Sequence, residues 1–246
     1  MAAEFRLGIQ SYCFRKFLPL NELVGALKEA GLSYVELWPR HIPFDAPQAE
    51  QSQALATLKK NGITVDSYGV IGFDRDEAKS RKVFAFAKKA GLRAISADPD
   101  PDALKLTQAL ADEYDINLAV HNHGKKHRYG RFDQLDELFS ITSSRIGLCL
   151  DTAWLLQVGE DPVEALDRYQ ERLYGVHLKD FVFDAQGNPQ DVIVGAGGLR
   201  LPAFLKRLSG QDFRGYLSLE YEGDPDNPLP KVKECIAAVR KVLASL

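Results

Sequence analysis

The sequence predicts an α/β chain folded as one (β/α)8 barrel over residues 1–246. Three observations carry this reading. Short apolar segments alternate eight times with segments of helical periodicity. Four of those segments end in a polar residue with a small residue two positions before it: Ala119 and His121, Cys149 and Asp151, Gly175 and His177, Ser218 and Glu220. The length of 246 residues matches one such barrel, for which about 250 is typical. Residues two apart share a face of a strand, so each small residue lies beneath its polar partner, while Val120, Leu150, Leu178 and Leu219 face the other way. A narrow interior of small side chains and an apolar exterior under helices is the pattern of a closed parallel barrel. A doubly wound open sheet is the competing arrangement, but no glycine-rich nucleotide fingerprint follows the first strand.

In order along the chain, Arg6 to Phe14 reads as the first strand. Leu20, Leu23, Val24 and Leu27 fall at helical spacing, and Gly31 closes that helix. Tyr34 to Trp38 is the second strand, stopped by Pro39, and a helix from about Ala49 to Lys60 ends at Asn61-Gly62. Thr64 to Val70 is the third strand. The stripe Val83, Phe86, Ala87, Ala90 marks the next helix, closed by Gly91. Ala94 to Ala97 is the fourth strand, followed by a helix from about Asp102 to Tyr114. Asn117 to His123 is the fifth strand, Phe132 to Ile141 a helix, and Ile146 to Asp151 the sixth strand. Asp161-Pro162 supplies an N-cap and a proline at the first helical position for a helix towards Tyr169. Leu173 to Asp180 is the seventh strand, after which a longer loop carries Gly187, Gly195, Gly197 and Gly198. Leu201 to Leu208 is a helix, Tyr216 to Glu220 the eighth strand, and Val232, Cys235, Ile236 and Val239 share one face of the last helix.

The bulk composition narrows the function classes. Hydrophobic residues at 45% suit a packed core rather than a disordered chain. A net charge of −3, with the one dense basic run confined to Lys125–Arg131, argues against nucleic acid as a partner. That run follows the fifth strand, so it belongs to the face where barrel sites lie; it reads as a solvated loop or a holder of phosphate or carboxylate. Cys13, Cys149 and Cys235 are scattered and lack CxxC spacing, as expected of reduced thiols in a cytoplasm-like compartment. Residues 1–6 lack the apolar core of a signal peptide, and no run is long enough to span a bilayer, so the expectation is a cytoplasmic protein without a membrane partner.

The polar strand ends carry the chemistry. His121, Asp151, His177 and Glu220 would meet at the C-terminal face from four consecutive strands, separated by 30, 26 and 43 residues. Two neutral imidazoles and two carboxylates suit one divalent ion such as zinc, manganese, iron, cobalt or magnesium. His123, one step further along the same face, is assigned to substrate contact or proton transfer. Lys179 stands two beyond His177, either to stabilise an oxyanion or as a rim ion pair with Asp180 or Glu222. Glu36 on the second strand is a substrate contact or an internal ion pair supporting the floor. Tyr12, Trp38, Tyr68 and Trp154 are candidates for a wall against which a sugar stacks.

At these residues the chain resembles the xylose isomerase-like TIM barrel superfamily, in its sugar phosphate isomerase/epimerase branch. The resemblance spans nearly the whole chain and is sharpest in LAVHNHG, IGLCLDTAW, LYGVHLKD and GYLSLEYEG. That superfamily includes sugar epimerases, hydroxypyruvate isomerase, inosose dehydratase and, more distantly, endonuclease IV. Its usual metal set, glutamate, aspartate, histidine and glutamate from the fifth to eighth strands, falls on His121, Asp151, His177 and Glu220. The chain departs from it twice. His121 replaces the glutamate of the fifth strand, and Trp154 stands where the epimerases often carry a histidine. Of the family's paired acid/base glutamates only Glu220 remains, with His123 or a metal-bound water in place of the other.

The resemblance implies a metal-dependent isomerase or epimerase acting on a small sugar, keto-sugar or polyol through an enediolate-type intermediate. Glu220 would be the main base, with His123 as its partner and Lys179 beside the developing charge. A lyase or dehydratase on the same metal site is the close alternative. An endonuclease-like hydrolase and a non-catalytic barrel subunit are more remote. The expected partners are a carbohydrate-like small molecule and a second copy of the chain in a homo-oligomer.

Overall fold

A computed structural model describes residues 6–246; the stretch 1–5, part of the segment expected to lack a signal-peptide core, lies outside the described residues. The strands are β1 (Leu7–Gln10), β2 (Tyr34–Leu37), β3 (Thr64–Tyr68), β4 (Ile71–Phe73), β5 (Ala94–Pro99), β6 (Asn117–His121), β7 (Ile146–Asp151), β8 (Leu173–Leu178), β9 (Phe181–Phe183), β10 (Pro189–Asp191) and β11 (Tyr216–Leu219). The helices are α1 (Leu20–Ala30), α2 (Gln48–Lys60), α3 (Glu77–Lys89), α4 (Leu104–Tyr114), α5 (Phe132–Ser140), α6 (Thr152–Val158), α7 (Pro162–Arg168), α8 (Leu201–Ser209) and α9 (Leu229–Leu243). Nine strands form one parallel sheet in the order β3-β2-β1-β11-β8-β7-β6-β5-β4. Its two edge strands, β3 and β4, are consecutive in the chain and separated by only Gly69 and Val70. The sheet therefore closes on itself at one divided strand, and nine segments serve as the eight staves of a (β/α)8 TIM barrel.

Local chemistry accounts for the boundaries. α1 ends at Gly31, whose φ of 68° is the left-handed conformation that favours glycine. α7 begins as expected: the Asp161 carboxylate accepts the backbone N–H of Val163 at 2.9 Å, with Pro162 in the first turn. The buried face of α9 is Val232, Cys235, Ile236 and Val239, each worth about 1.5–3 kcal/mol where a full aliphatic side chain leaves water. The main core lies between sheet and helices. A smaller one fills the barrel itself, where Ala94, Ala119, Cys149 and Tyr216 pack together. Gly175 is required here, because a Cβ would come within 2.1 Å of the Tyr216 ring. The cysteines are unpaired and buried. Among the described residues no helix is long and apolar enough to cross a membrane.

Several boundaries differ from the sequence reading. The first strand stops at Gln10, and Ser11–Phe14 forms a 3-10 turn, because Gln10 caps it by accepting the N–H of Tyr12. The third strand breaks after Tyr68 because Gly69 passes against Ser96, where any Cβ would meet the Ser96 carbonyl oxygen at 2.3 Å. The fifth, seventh and eighth strands end at His121, Leu178 and Leu219, two, two and one residues earlier than expected. The strand β4, the helix α6 and the antiparallel β9–β10 hairpin inside the long loop were not anticipated.

Candidate metal centre

Hydrogen-bond register determines where the four polar strand ends meet. His121 pairs with Cys149, two residues before Asp151; Asp151 pairs directly with His177; His177 pairs with Ser218, two residues before Glu220. The positions thus climb along the ladder from β6 to β11, and the tilt of barrel strands converts that climb into a common height. One donor atom from each of His121, Asp151, His177 and Glu220 lies within 4.8 Å of the other three, and all four residues are buried.

Each side chain is held by its neighbours in a way that leaves a donor atom over. Asp151 spends Oδ1 on the first turn of α6, accepting the N–H groups of Ala153 and Trp154 at 2.9 Å each. Its Oδ2 has no hydrogen-bond partner and stands 3.4 Å from His121 Nε2. His177 Nε2 lies 2.8 Å from Glu36 Oε2, which turns Nδ1 towards Glu220 Oε2 at 3.1 Å. Neither ring nitrogen of His121 has a hydrogen-bond partner, nor does His177 Nδ1. Buried polar atoms are ordinarily paired. Among the described residues, one orphaned donor atom from each of two imidazoles and a carboxylate thus gathers beside Glu220, which fits a divalent cation of intermediate softness.

The electrostatics agree with an acceptor-rich centre. Burial, reinforced by the charge of His177, pushes the His121 pKa down to about 3, so its imidazole is neutral. Burial raises Asp151 to about 6, against the pull of Lys179 and with the push of Glu220. Burial also opposes the charge on Glu220, but Lys179 and His177 outweigh it and hold that carboxyl well below its usual range. His177 goes the other way: burial disfavours its charge, yet the Cys149 thiol, Glu36 and Glu220 together raise its pKa.

A cavity of about 300 Å³ opens beside the centre, lined by Gln10, Tyr12, Trp38, Gly69, Val70, His121, His123, Trp154, Glu220 and Glu222. Of the residues singled out from sequence, Tyr12, Trp38, Trp154 and His123 line this space together with His121 and Glu220. Tyr12 and Trp38 meet edge-on at 5.0 Å. Tyr68 does not reach it. Its ring is buried against Phe86 and its hydroxyl donates to the Ile42 carbonyl at 2.8 Å, so the sugar-wall assignment is corrected to a core residue. Glu36 is fully buried under His177 and also accepts from the Ser96 hydroxyl, so it is a support for His177 and not a substrate contact. Lys179 is 1% exposed and absent from the lining; its ammonium donates to Glu222 and lies 3.8 Å from Glu220 Oε2. Asp180, the other partner considered for it, instead accepts the N–H groups of Gly195, Gly197 and Leu199 and shapes the long loop. His123 was assigned to substrate contact or proton transfer. Burial and the neighbouring His121 and His127 push its pKa down to about 3, and it stands just past the end of β6.

The sequence reading missed Asn122 and Thr152, and it named Glu222 only as a rim partner for Lys179. Asn122 donates to the Asp151 carbonyl at 3.0 Å and accepts the Asp151 N–H at 2.7 Å, fastening the ends of β6 and β7 together. Thr152 accepts the N–H of Lys179 at 3.0 Å and donates to its carbonyl at 2.6 Å, doing the same for β7 and β8. Glu222 places a second carboxylate in the cavity, and burial with repulsion from Glu220 raises its pKa. Asn122 sits between the two histidines and Glu222 repeats the two-residue spacing beyond Glu220, signals present in the sequence but not used.

Comparison with known proteins agrees with this architecture. The chain is 29% identical over 136 residues to the rhizopine catabolism protein MocC of Rhizobium meliloti, covering 48% of this chain and 40% of that protein. It is 29% identical over 142 residues to inosose dehydratase of Clostridium botulinum, covering 51% and 47%. The chain thus aligns with less than half the length of these relatives. The crystal structure of the IOLI protein with a bound zinc atom superposes with a TM-score of 0.80 at 16% identity, over 98% of this chain and 99% of that one, and shares the fold. The model of the xylose isomerase-like TIM barrel family matches residues 102–242, more than half of the chain and the part that supplies all four convergent side chains, and the protein belongs to that family.

Proposed function

We propose that the protein is a divalent-metal-dependent enzyme that removes the proton beside the carbonyl of a small, uncharged keto-polyol or keto-sugar and completes turnover by loss of water, a carbon–oxygen lyase reaction. The observation that carries this reading is the set of orphaned donor atoms of His121, Asp151 and His177 gathered beside Glu220 at the wall of a cavity. A bound ion would polarise the substrate carbonyl and make the adjacent C–H more acidic. The cavity volume of about 300 Å³ lies at the small end of the roughly 300–1,000 Å³ found for ligand pockets, which suits a small substrate. Among the described residues no lysine or arginine lines it, so a phosphate or carboxylate group would meet no cationic side chain there.

The chain's own residues then divide the work. Tyr12, Trp38 and Trp154 pack against the ring and exclude water. Neutral His123 exchanges hydrogen bonds with ring hydroxyls. Glu220 accepts the carbon-bound proton; its low proton affinity is workable only against an acidified C–H. Glu222, with its raised pKa, gives a proton to the departing hydroxyl, which leaves as water as the C–O bond breaks and C=C forms. Both carboxylates stand at the end of one strand, on one side of the substrate, which suits elimination. The half-chain similarity to inosose dehydratase supports the same outcome.

Isomerisation or epimerisation is the second reading, favoured by the placement of His123 beyond β6, separated from Glu220 by the staves β7 and β8. Proton NMR of keto-inositols and keto-sugars incubated in deuterated water with the zinc-, manganese- or cobalt-loaded protein separates the two. Elimination gives a dehydrated product, whereas isomerisation gives carbon-bound deuterium without loss of water. Asp151→Ala and His177→Ala should lose the ion of this centre and both signals; variants that hold that ion as firmly as wild type would refute the centre.

A further inference from the structure

Four of the five histidines form one continuous row from the barrel interior to its mouth: His177, His121, His123 and His127, with successive ring centroids 4.7, 4.4 and 4.6 Å apart. The inner pair belongs to the centre described above. The outer pair leads to a carboxylate that this centre does not use. His127 Nε2 lies 3.1 Å from Asp98 Oδ2, and one donor atom from each of Asp98, His123 and His127 lies within 4.8 Å of the other two. We propose that Asp98, His123 and His127 form a second divalent-cation site, distinct from the His121, Asp151, His177 and Glu220 centre.

The donor set and its supports suit an ion of the zinc, cobalt or iron type. Two imidazoles and one carboxylate make a three-ligand set that leaves positions open for water or a substrate hydroxyl. Asp98 lies on β5, His123 just beyond β6, and His127 in the loop that follows. That loop is fixed on β5 independently of any ion: the Tyr129 hydroxyl donates to the Pro99 carbonyl at 2.9 Å, and Arg128 Nε donates to the same oxygen at 3.2 Å. Asp98 offers Oδ2 to the site because its Oδ1 is occupied by Arg128 Nη2 at 2.9 Å, an outer contact of the kind that orients ligating carboxylates. Arg128 also pairs with Asp100 at 3.0 Å, so the two carboxylates outweigh the one guanidinium and the site stays net negative. Occupation exchanges the His127–Asp98 hydrogen bond for two bonds to the ion. The side chains of Asp98 and His127 are 25% and 23% exposed, which leaves a route in from solvent. His123 belongs to the cavity wall as well, so this site borders the space assigned to substrate.

The test is the number of zinc ions bound by the full-length, metal-stripped protein, read by calorimetric titration and by metal analysis after gel filtration. Wild type should hold two per chain. His127→Ala, His127→Gln and Asp98→Asn should each hold one, with circular dichroism and thermal unfolding showing the fold intact. His177→Ala should also hold one, and His127→Ala combined with His177→Ala none. A wild type that saturates at one ion, lost in His177→Ala and kept in His127→Ala, overturns the proposal while leaving the inner centre standing. Two ions retained in all three outer variants also overturn it. One ion lost in His127→Ala but kept in His177→Ala supports the outer site and refutes the inner one.

Discussion

Replacement of Glu36 tests how the inner centre is held. Its carboxylate is fully buried, 2.8 Å from His177 Nε2, and it also accepts the Ser96 hydroxyl. As long as Nε2 carries a hydrogen directed at Glu36, the lone pair of Nδ1 faces Asp151 and Glu220. Glu36→Gln keeps the volume and an acceptor oxygen but removes the charge that makes the imidazole a better ligand and fixes its tautomer. Loss of such an outer partner costs 10–100-fold in metal affinity, about 1.4–2.7 kcal/mol. Glu36→Leu goes further, because it strands the buried donor His177 Nε2–H at roughly 1–3 kcal/mol, while the Ser96 hydroxyl still has the Tyr216 and Ser67 oxygens within reach. Zinc affinity should be measured by competition with a chelator, and stability of the metal-free protein by urea unfolding. The expected order of affinity is wild type, then Gln, then Leu, with the stability loss concentrated in Leu. A folded Glu36→Gln that binds zinc as tightly as wild type would show that His177 needs no such support and that Glu36 is merely a buried carboxylate.

Two further expectations concern charge. In the metal-free protein His121 and His123 have folded pKa values of about 3, below the ordinary value of 6.5, so the unfolded chain binds more protons between those limits. Stability is therefore fully present above about pH 6.5 and falls on acidification towards pH 3, by about 1.4 kcal/mol per pH unit for each such group; urea midpoints at pH 7 and pH 5 check this, and a His123→Gln protein whose midpoint falls as steeply as wild type would contradict it. Abasic duplex DNA should neither bind tightly at low salt nor be cut, given a net charge of −3 and a basic loop whose Arg128 is already paired with Asp98 and Asp100; fluorescence anisotropy with a steep salt slope, or strand cleavage, would reverse that expectation.

Much of the barrel was legible because its residues obey a two-residue alternation that only one arrangement satisfies. Ala119, Cys149, Gly175 and Ser218 had to be small because Tyr216 and the Glu36–Ser96 layer fill the interior beneath the centre, and the same alternation put His121, Asp151, His177 and Glu220 on the inner face. What escaped was everything decided by a single long-range contact. The sequence reading runs the third strand from Thr64 to Val70 with no strand after it, whereas the strand stops at Tyr68 and resumes at Ile71, with Gly69 passing close against Ser96. Asp151 reads as a ligand, which conceals that its second oxygen starts a helix. Tyr68 and Glu36 carry the same residue types as true wall and contact residues. Their roles follow from the Ile42 carbonyl and from His177, distant in sequence. For Lys179, the sequence offered its neighbour Asp180 and the distant Glu222 as partners, and three-dimensional proximity chose Glu222.

The divided strand leaves the hydrogen bonding round the ring uneven. Counting round from the β3–β4 seam, the staves are β2, β1, β11, β8, β7, β6 and β5, so the seam stands across from β8 and its His177. The four staves that carry convergent side chains form an unbroken hydrogen-bonded arc, further fastened at its rim by Asn122 and Thr152. The one interruption in the hoop lies on the far side, and the two residues that form it, Gly69 and Val70, are themselves part of the cavity wall. The cavity is thus bounded on one side by the arc that spaces the donor atoms and on the other by the seam, so a substitution at Gly69 or Val70 alters the cavity wall without touching the ladder that holds His121, Asp151, His177 and Glu220.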